Sequence, residues 1–445
     1  MSASEHPDSP PRASAQASES APPHYAPGPR RGSLVAHFES GASLALEPGR
    51  ARSYPGLRAE APSMAAFYSA FAELMPACRV LDAGSGAGVG ARRLSRAGLS
   101  VIAVDVDAPS VEFARLHAPE ATHVVADLAA YVSDVRLDGA IVADVLAHAA
   151  DPDAVLLGVR RSLALDARLL VAEPAAHVSQ RLTAPQRRGF SLARLTALLV
   201  RTGFRVEAVL SDGLPFVGLL ARAADPAVAD AFAAAYALAA QGELVAAVAA
   251  LDGAAGSGRL EVEVEIALGK AELCFALGQG DAAANAYFRA RELAPTDARP
   301  LVGLGRIALA SGSAEEALQL ALDALRHDST EAAACALAAL AADALNHPDA
   351  FTAWRAAVNL APDDAGLALE LARSASARGD HVLALWTLER LERYGVPTDP
   401  DYHVTRGWLL LAAGRVDEAA VEVRIAAAKH ADPERLAELS RAVSK

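Results

Sequence analysis

The 445-residue chain has only three cysteines, Cys78, Cys274 and Cys335, and none stands at the spacing of a metal site or a disulfide framework. They read as buried thiols, which excludes structural zinc and a disulfide scaffold. No uninterrupted apolar run reaches the roughly 18 residues of a membrane span. The first residues lack a basic start followed by an apolar core, which argues against a secretory signal and leads us to expect a cytoplasmic protein. Positive charge is also scarce, with 41 Lys and Arg against 54 Asp and Glu and a formal net charge of −13. Such a surface repels polyanions on average, so DNA and RNA are disfavoured as partners, apart from a local basic patch at Arg187 and Arg188. Residues 1–33 are rich in Pro, Ser and Ala with almost no aliphatic side chains. They cannot bury enough apolar surface to offset ordering entropy, and a disordered tail is predicted there.

What is present is more specific. Val80-Leu81-Asp82-Ala83-Gly84-Ser85-Gly86-Ala87-Gly88 joins an apolar strand end to an acid and three glycines spaced two apart. Glycines there let the backbone turn and approach a ligand where a Cβ would collide. Gly86-Ala87-Gly88-Val89-Gly90-Ala91 also fits a loose G-x-G-x-x-A dinucleotide fingerprint. A carboxylate before the glycines suits a ligand carrying a cationic amino group better than a pyrophosphate. A second apolar strand, Leu99 to Asp105, ends in an acid 23 residues after Asp82, the spacing of a βαβ unit. An acid at that tip can accept two ribose hydroxyls. Asp107 lies past the strand and is expected to start the helix at Pro109. A third strand, His123 to Leu128, carries Asp127 near its end.

The D-x-G-x-G-x-G string resembles the first motif of class I S-adenosylmethionine-dependent methyltransferases. The segment Leu137-Asp138-Gly139 through Ala143-Asp144-Val145-Leu146-Ala147-His148 to Asp151-Pro152 is similar to that family's F-D-x-x-x-x-x-x-L-E-H-x-x-D-P stretch, with Ala147 where many members have glutamate. The resemblance covers about residues 60–222. It implies a doubly wound, Rossmann-like α/β sheet with an antiparallel last strand, which fits the short loop between the strands over 203–209 and 216–221. It also implies S-adenosyl-L-methionine as cofactor, with Asp82, Gly84, Gly86, Gly88, Asp105, Val106, Asp127, Leu128 and Asp144 as its contacts. His148 and Glu173, at strand ends on the cofactor edge, are the candidate general bases, and His177 is third. Arg181, Arg187 and Arg188 could meet an anionic acceptor, although a solvated face is the default. The stretch 34–75 is expected to form a lid with a helix from Ser63 to Met75, and Tyr54 there could touch cofactor or acceptor.

Residues 227–445 change character to Ala- and Leu-rich helices with a repeat. The turn position runs Gly278, Gly312, Leu345, Gly379 and Gly414, at intervals of 34, 33, 34 and 35 residues. Small residues recur in frame at Ala271, Gly305, Ala338, Ala372 and Gly407, and bulky ones include Tyr287, Trp354 and Leu388. Pro295 and Pro362 fall after helices as stops. The pattern resembles tetratricopeptide repeats, five clear units with a degenerate sixth at 227–258. Such an array forms a superhelix whose concave face engages a protein or peptide. The expected organisation is a tail at 1–33, a lid segment at 34–75, a methyltransferase at 76–223 and repeats at 227–445. Two alternatives remain at this point, a non-catalytic scaffold retaining the fold and a dinucleotide-dependent oxidoreductase.

Overall fold

The computed structural model describes residues 34–38, 43–46, 62–176, 188–211, 215–393 and 400–444. Apolar, β-branched runs form the middle of a nine-stranded sheet: β3 (Arg79–Ala83), β4 (Ser100–Asp105), β5 (Thr122–Val125), β6 (Leu137–Ala143) and β7 (Leu163–Pro174). These five are parallel, in the order β7-β6-β3-β4-β5. A helix follows most of them, as parallel pairing requires a crossover. β8 (Phe204–Ser211) and β9 (Phe216–Ala223) are too close in sequence for a crossover, and β9 runs antiparallel between β7 and β8. The antiparallel last strand is therefore present as expected.

The far edge was not legible in the sequence. The pattern over 34–75 predicts only a lid and a helix, whereas β1 (Leu34–Phe38) and β2 (Ser43–Leu46) form a hairpin that extends the sheet beyond β8. Strands of five and four residues are too short to carry a clear alternation. The predicted helix exists as α1 (Pro62–Leu74). It lies on the sheet, burying Phe67 and Phe71 with Val80, Ile141 and Leu170, together with Leu94 of α2 (Val89–Arg96). The other face is covered by α4 (Pro152–Ser162) and α5 (Leu192–Arg201), over Leu81, Val142, Val171 and Leu219. Helix starts obey local chemistry: Asp107, at the head of α3 (Ala108–His117), Asp151 and Ser191 each accept a first-turn amide.

Beyond residue 225 the described chain is helical throughout its named elements. Six antiparallel pairs follow one another: α6 (Pro226–Ala240) with α7 (Leu244–Leu251), α8 (Leu260–Ala276) with α9 (Gly280–Leu293), and α10 (Arg299–Ala310) with α11 (Ala314–His327). Then come α12 (Ala332–Ala344) with α13 (Ala350–Leu360), α14 (Ala365–Ala377) with α15 (His381–Arg393), and α16 (Pro400–Ala412) with α17 (Val416–Ala428). A last helix, α18 (Pro433–Val443), sets Leu439 against Gly407, where a Cβ would lie 2.6 Å from that side chain. The degenerate first unit is thus a true pair, with a short second helix.

The repeat frame needs one correction. The left-handed turn residue of the fourth pair is Asn346, at φ 53°, not Leu345. Asparagine tolerates that region where leucine does not, and moving the mark by one residue brings it 34 residues after Gly312. Ion pairs join neighbouring units at the same 34-residue spacing: Glu265 to Arg299 at 2.7 Å, and Glu272 to Arg306 at 2.7 Å. The repeats also grip the sheet-bearing part of the chain. Arg188 meets Asp363 at 2.6 Å, and Arg259 pairs with Asp225 and donates to the Phe204 carbonyl at 3.3 Å.

Candidate functional site

β3 ends at Ala83, and the chain swings away through Gly84, Gly86 and Gly88, all at positive φ, before α2 begins. The turn is anchored from the neighbouring strand: Val104 O accepts the amides of Gly84 at 2.8 Å and Ser85 at 3.1 Å. The three glycines are not equivalent. A side chain at Gly84 would strike Val145, and a Cβ at Gly88 would come within 2.7 Å of the Ala114 Cβ, so both serve packing. A Cβ at Gly86 would meet nothing within 4 Å. Gly86 therefore faces open space. Its amide donates to Asp105 Oδ2 at 2.7 Å, and Oδ1 of the same carboxylate accepts from Asp107 N at 2.9 Å.

Asp82 is fully buried beneath this loop. Tyr68 of α1 donates from its hydroxyl to Asp82 Oδ1 at 2.7 Å, reaching it across Gly90, whose missing side chain leaves room for the ring. Asp82 Oδ2 and Ser85 Oγ are buried and make no hydrogen bond among the described residues. Burial raises the Asp82 pKa to about 7, opposed by the Tyr68 hydrogen bond and the Ala91 amide dipole and reinforced by Asp105. Burial also lifts Tyr68 well above its ordinary value, with Asp82, Asp105 and Asp144 all contributing. Of these three acids, only Asp82 is bonded to the phenol.

Asp144 leaves β6 at φ 57°, a strained backbone for a residue other than glycine. Its Oδ1 lies 3.4 Å from His148 Nε2, on a half-buried turn over the glycine loop. Glu173 departs from the expected role. It is fully buried, and its carboxylate accepts the amides of Val145 at 3.0 Å, Leu146 at 2.9 Å and Ala147 at 3.0 Å. Burial pushes its pKa to about 8 while the three amides pull it down. In this arrangement both Glu173 carboxylate oxygens hold the backbone of the Asp144–His148 turn. Asp127 is exposed and caps the next turn through Ala129 N at 2.9 Å, while the Leu128 side chain points into the core beside α4. Val106, 72% exposed, forms an apolar rim next to Asp105. Tyr54, His177, Arg181 and Arg187 lie outside the described residues.

Tyr68 is the site residue that sequence reasoning missed. The available signal was a phenol within the apolar run Phe67-Tyr68-Ser69-Ala70-Phe71, since a buried hydroxyl needs a partner.

Residues 81–171 match the family of methyltransferase domains. The chain carries a methyltransferase domain. Solved structures similar to it include a TehB-like SAM-dependent methyltransferase from Corynebacterium glutamicum, at 23% identity over 35% of this chain and 85% of that one, TM-score 0.31. Another is the 1,6-didemethyltoxoflavin-N1-methyltransferase of Burkholderia thailandensis with bound 1,6-didemethyltoxoflavin and S-adenosylhomocysteine, at 23% over 36% and 78%, TM-score 0.31. The helical part is similar to a TPR protein of Thermus thermophilus, at 22% over 41% and 100%, TM-score 0.33. No curated protein matches the chain.

Tyr68→Phe leaves Asp82 Oδ1 without its donor and is expected to cost about 1–3 kcal/mol. Losing that bond also raises the Asp82 pKa further. A carboxylate held above its unfolded value stabilises below the unfolded pKa, and that contribution disappears as pH rises through the folded one. The wild type should therefore lose this contribution as pH rises from about 4 to 7, and the variant should go on losing stability above pH 7, as urea titrations across that range would show.

Proposed function

We propose that the chain transfers a methyl group from S-adenosylmethionine to an acceptor. The observation that carries this reading is the open space at Gly86 beside the Asp105 carboxylate, with Asp82 buried nearby and its Oδ2 making no hydrogen bond among the described residues. Such a set fits a cationic nucleoside. The donor set also favours it over a dinucleotide, because buried acids beside the loop would repel a pyrophosphate. When bound, the cofactor supplies a methyl group already activated on a positive sulfur.

The remaining work falls to residues of this chain. Asp105 is placed to hold the ribose hydroxyls, and Val106 to cover the base. Asp82 balances the amino group. Asp144 and His148 face the reacting end, where His148, oriented by Asp144, accepts a proton when the acceptor is a hydroxyl or an ammonium. Glu173 acts by fixing that turn, so its role is positioning. The repeats supply a protein-binding surface, part of which the chain's own α5 already fills, since α5 and the first helices of successive pairs line one cavity.

Calorimetry with S-adenosylmethionine tests the reading. A cation beside Asp82 favours the ionised carboxylate, so affinity should rise about tenfold from pH 6 to pH 8 as a group of pKa about 7 loses its proton. Asp82→Asn should bind weakly and lose that dependence. Absence of binding at millimolar ligand would sink the proposal.

A further inference from the structure

Three cavities lined by described residues lie where α5 meets the repeats. One of about 420 Å³ opens beside the carboxyl edge of the sheet. On one side it is walled by Ala176, Phe190 and Val217 of the methyltransferase domain. Val217 is paired in register with Glu173, the residue that holds the Asp144–His148 turn. Adjacent strands lie roughly 4.8 Å apart, so the order β6-β7-β9 sets Val217 about 10 Å along the edge from Asp144. The facing wall comes from the loops that join repeat pairs, including Asp297, Asp328 and Glu331. Arg194, in the first turn of α5, stands between the two walls.

Among the described residues, the arginine and carboxylate side chains lining this region each have a bonded partner, Arg194 excepted. Arg188 is bound to Asp363 at 2.6 Å, Arg201 to Asp153 at 2.6 and 2.9 Å, and Arg299 to Glu265 at 2.7 Å and Asp297 at 2.6 Å. Each carboxylate of the facing wall has its own donor: Arg299 for Asp297, Thr330 for Asp328 at 2.6 and 2.8 Å, and the Ala333 amide for Glu331 at 3.1 Å. The Arg194 guanidinium makes no hydrogen bond or ion pair among the described residues, and it lies over the Phe190 ring, 5.8 Å from the centroid. Burial and the nearby Arg188 push its pKa down, while Glu331 and Asp363, close by but not bonded to it, pull it up. A planar, permanently charged group with five donors in a walled cleft calls for a carboxylate or phosphate.

Resting on the methyl-transfer reading, we propose that this cleft holds the methyl acceptor, that Arg194 grips a carboxylate or phosphate on it, and that the repeat loops form its far wall. The repeats then shape the acceptor site as well as offering a surface to a partner. The reacting atom of such an acceptor lies about 10 Å or more from its anion, the distance along the sheet edge.

The test uses the full-length protein, melted in inorganic phosphate or in succinate at ionic strength matched with chloride. At least one anion should raise the melting temperature saturably, since a ligand that binds only the folded state stabilises it. Phosphate alone doing so assigns a phosphorylated acceptor, and succinate alone a carboxylate. Arg194→Glu and Arg194→Gln should each weaken that binding at least tenfold while leaving affinity for S-adenosylmethionine within twofold. The inference is overturned if neither anion gives a saturable shift, or if the shift survives in both variants. If S-adenosylmethionine fails to bind the wild type, the methyl-transfer reading falls, and the acceptor role falls with it whatever the anions do.

Discussion

Gly86→Val is expected to abolish binding of S-adenosylmethionine, with affinity falling by more than ~100-fold, or about 2.7 kcal/mol. The glycine sits at φ 49° with open space before its missing side chain. An isopropyl group there would fill the space the cofactor needs, without touching the core. The protein should still fold, at a backbone penalty of about 1–2 kcal/mol for a β-branched residue in the left-handed region. Gly84→Val makes the contrasting control. Its side chain would drive into Val145, so folding and binding should fail together. Calorimetry and circular dichroism on the two variants separate these outcomes, and retention of affinity within tenfold in Gly86→Val would remove Gly86 from the site.

The second large effect belongs to the repeats. Trp354 of α13 is almost fully buried against Ala339, Val358 and Leu371, and its Nε1 donates to Asp343 Oδ2 at 2.7 Å. It therefore ties its own pair to the next one. Trp354→Ala removes that packing and leaves a cavity, for an expected loss of about 3–5 kcal/mol. Because a solenoid is stable only through neighbour contacts, the loss should uncouple the units on either side. We expect hydrogen exchange to show lost protection across α12 to α15, and thermal melts to split into two transitions. An unchanged single transition would show that this side chain is not a coupling point.

Several features could be read directly from the sequence because they are local. The acids Asp82, Asp105 and Asp127 lie at or just past strand ends as the spacing implies, and Asp107 caps α3. The repeat frame is also local, since each helix pair is one short sequence unit, and its one slip, Leu345 for Asn346, arose where residue type and interval disagreed. Glu173 was misread for a different reason. A carboxylate at a strand tip on the cofactor edge looks the same in sequence whether it faces solvent or three backbone amides. Which it does depends on how the turn after β6 folds over the neighbouring strand.

By itself, then, the sequence determined the parallel sheet with its antiparallel last strand, the glycine turn with its acids and the helical array, because periodicity, turn chemistry and loop length fix those elements over a few dozen residues. Tertiary structure alone decided that Tyr68 reaches Asp82 past Gly90, that Glu173 braces the Asp144–His148 turn, and that α5 meets the repeats with Arg194 lining the cavity between them. Each of these brings together residues from separate elements, some more than a hundred positions apart. Such meetings are fixed by how whole surfaces pack, and no local pattern in the chain encodes them.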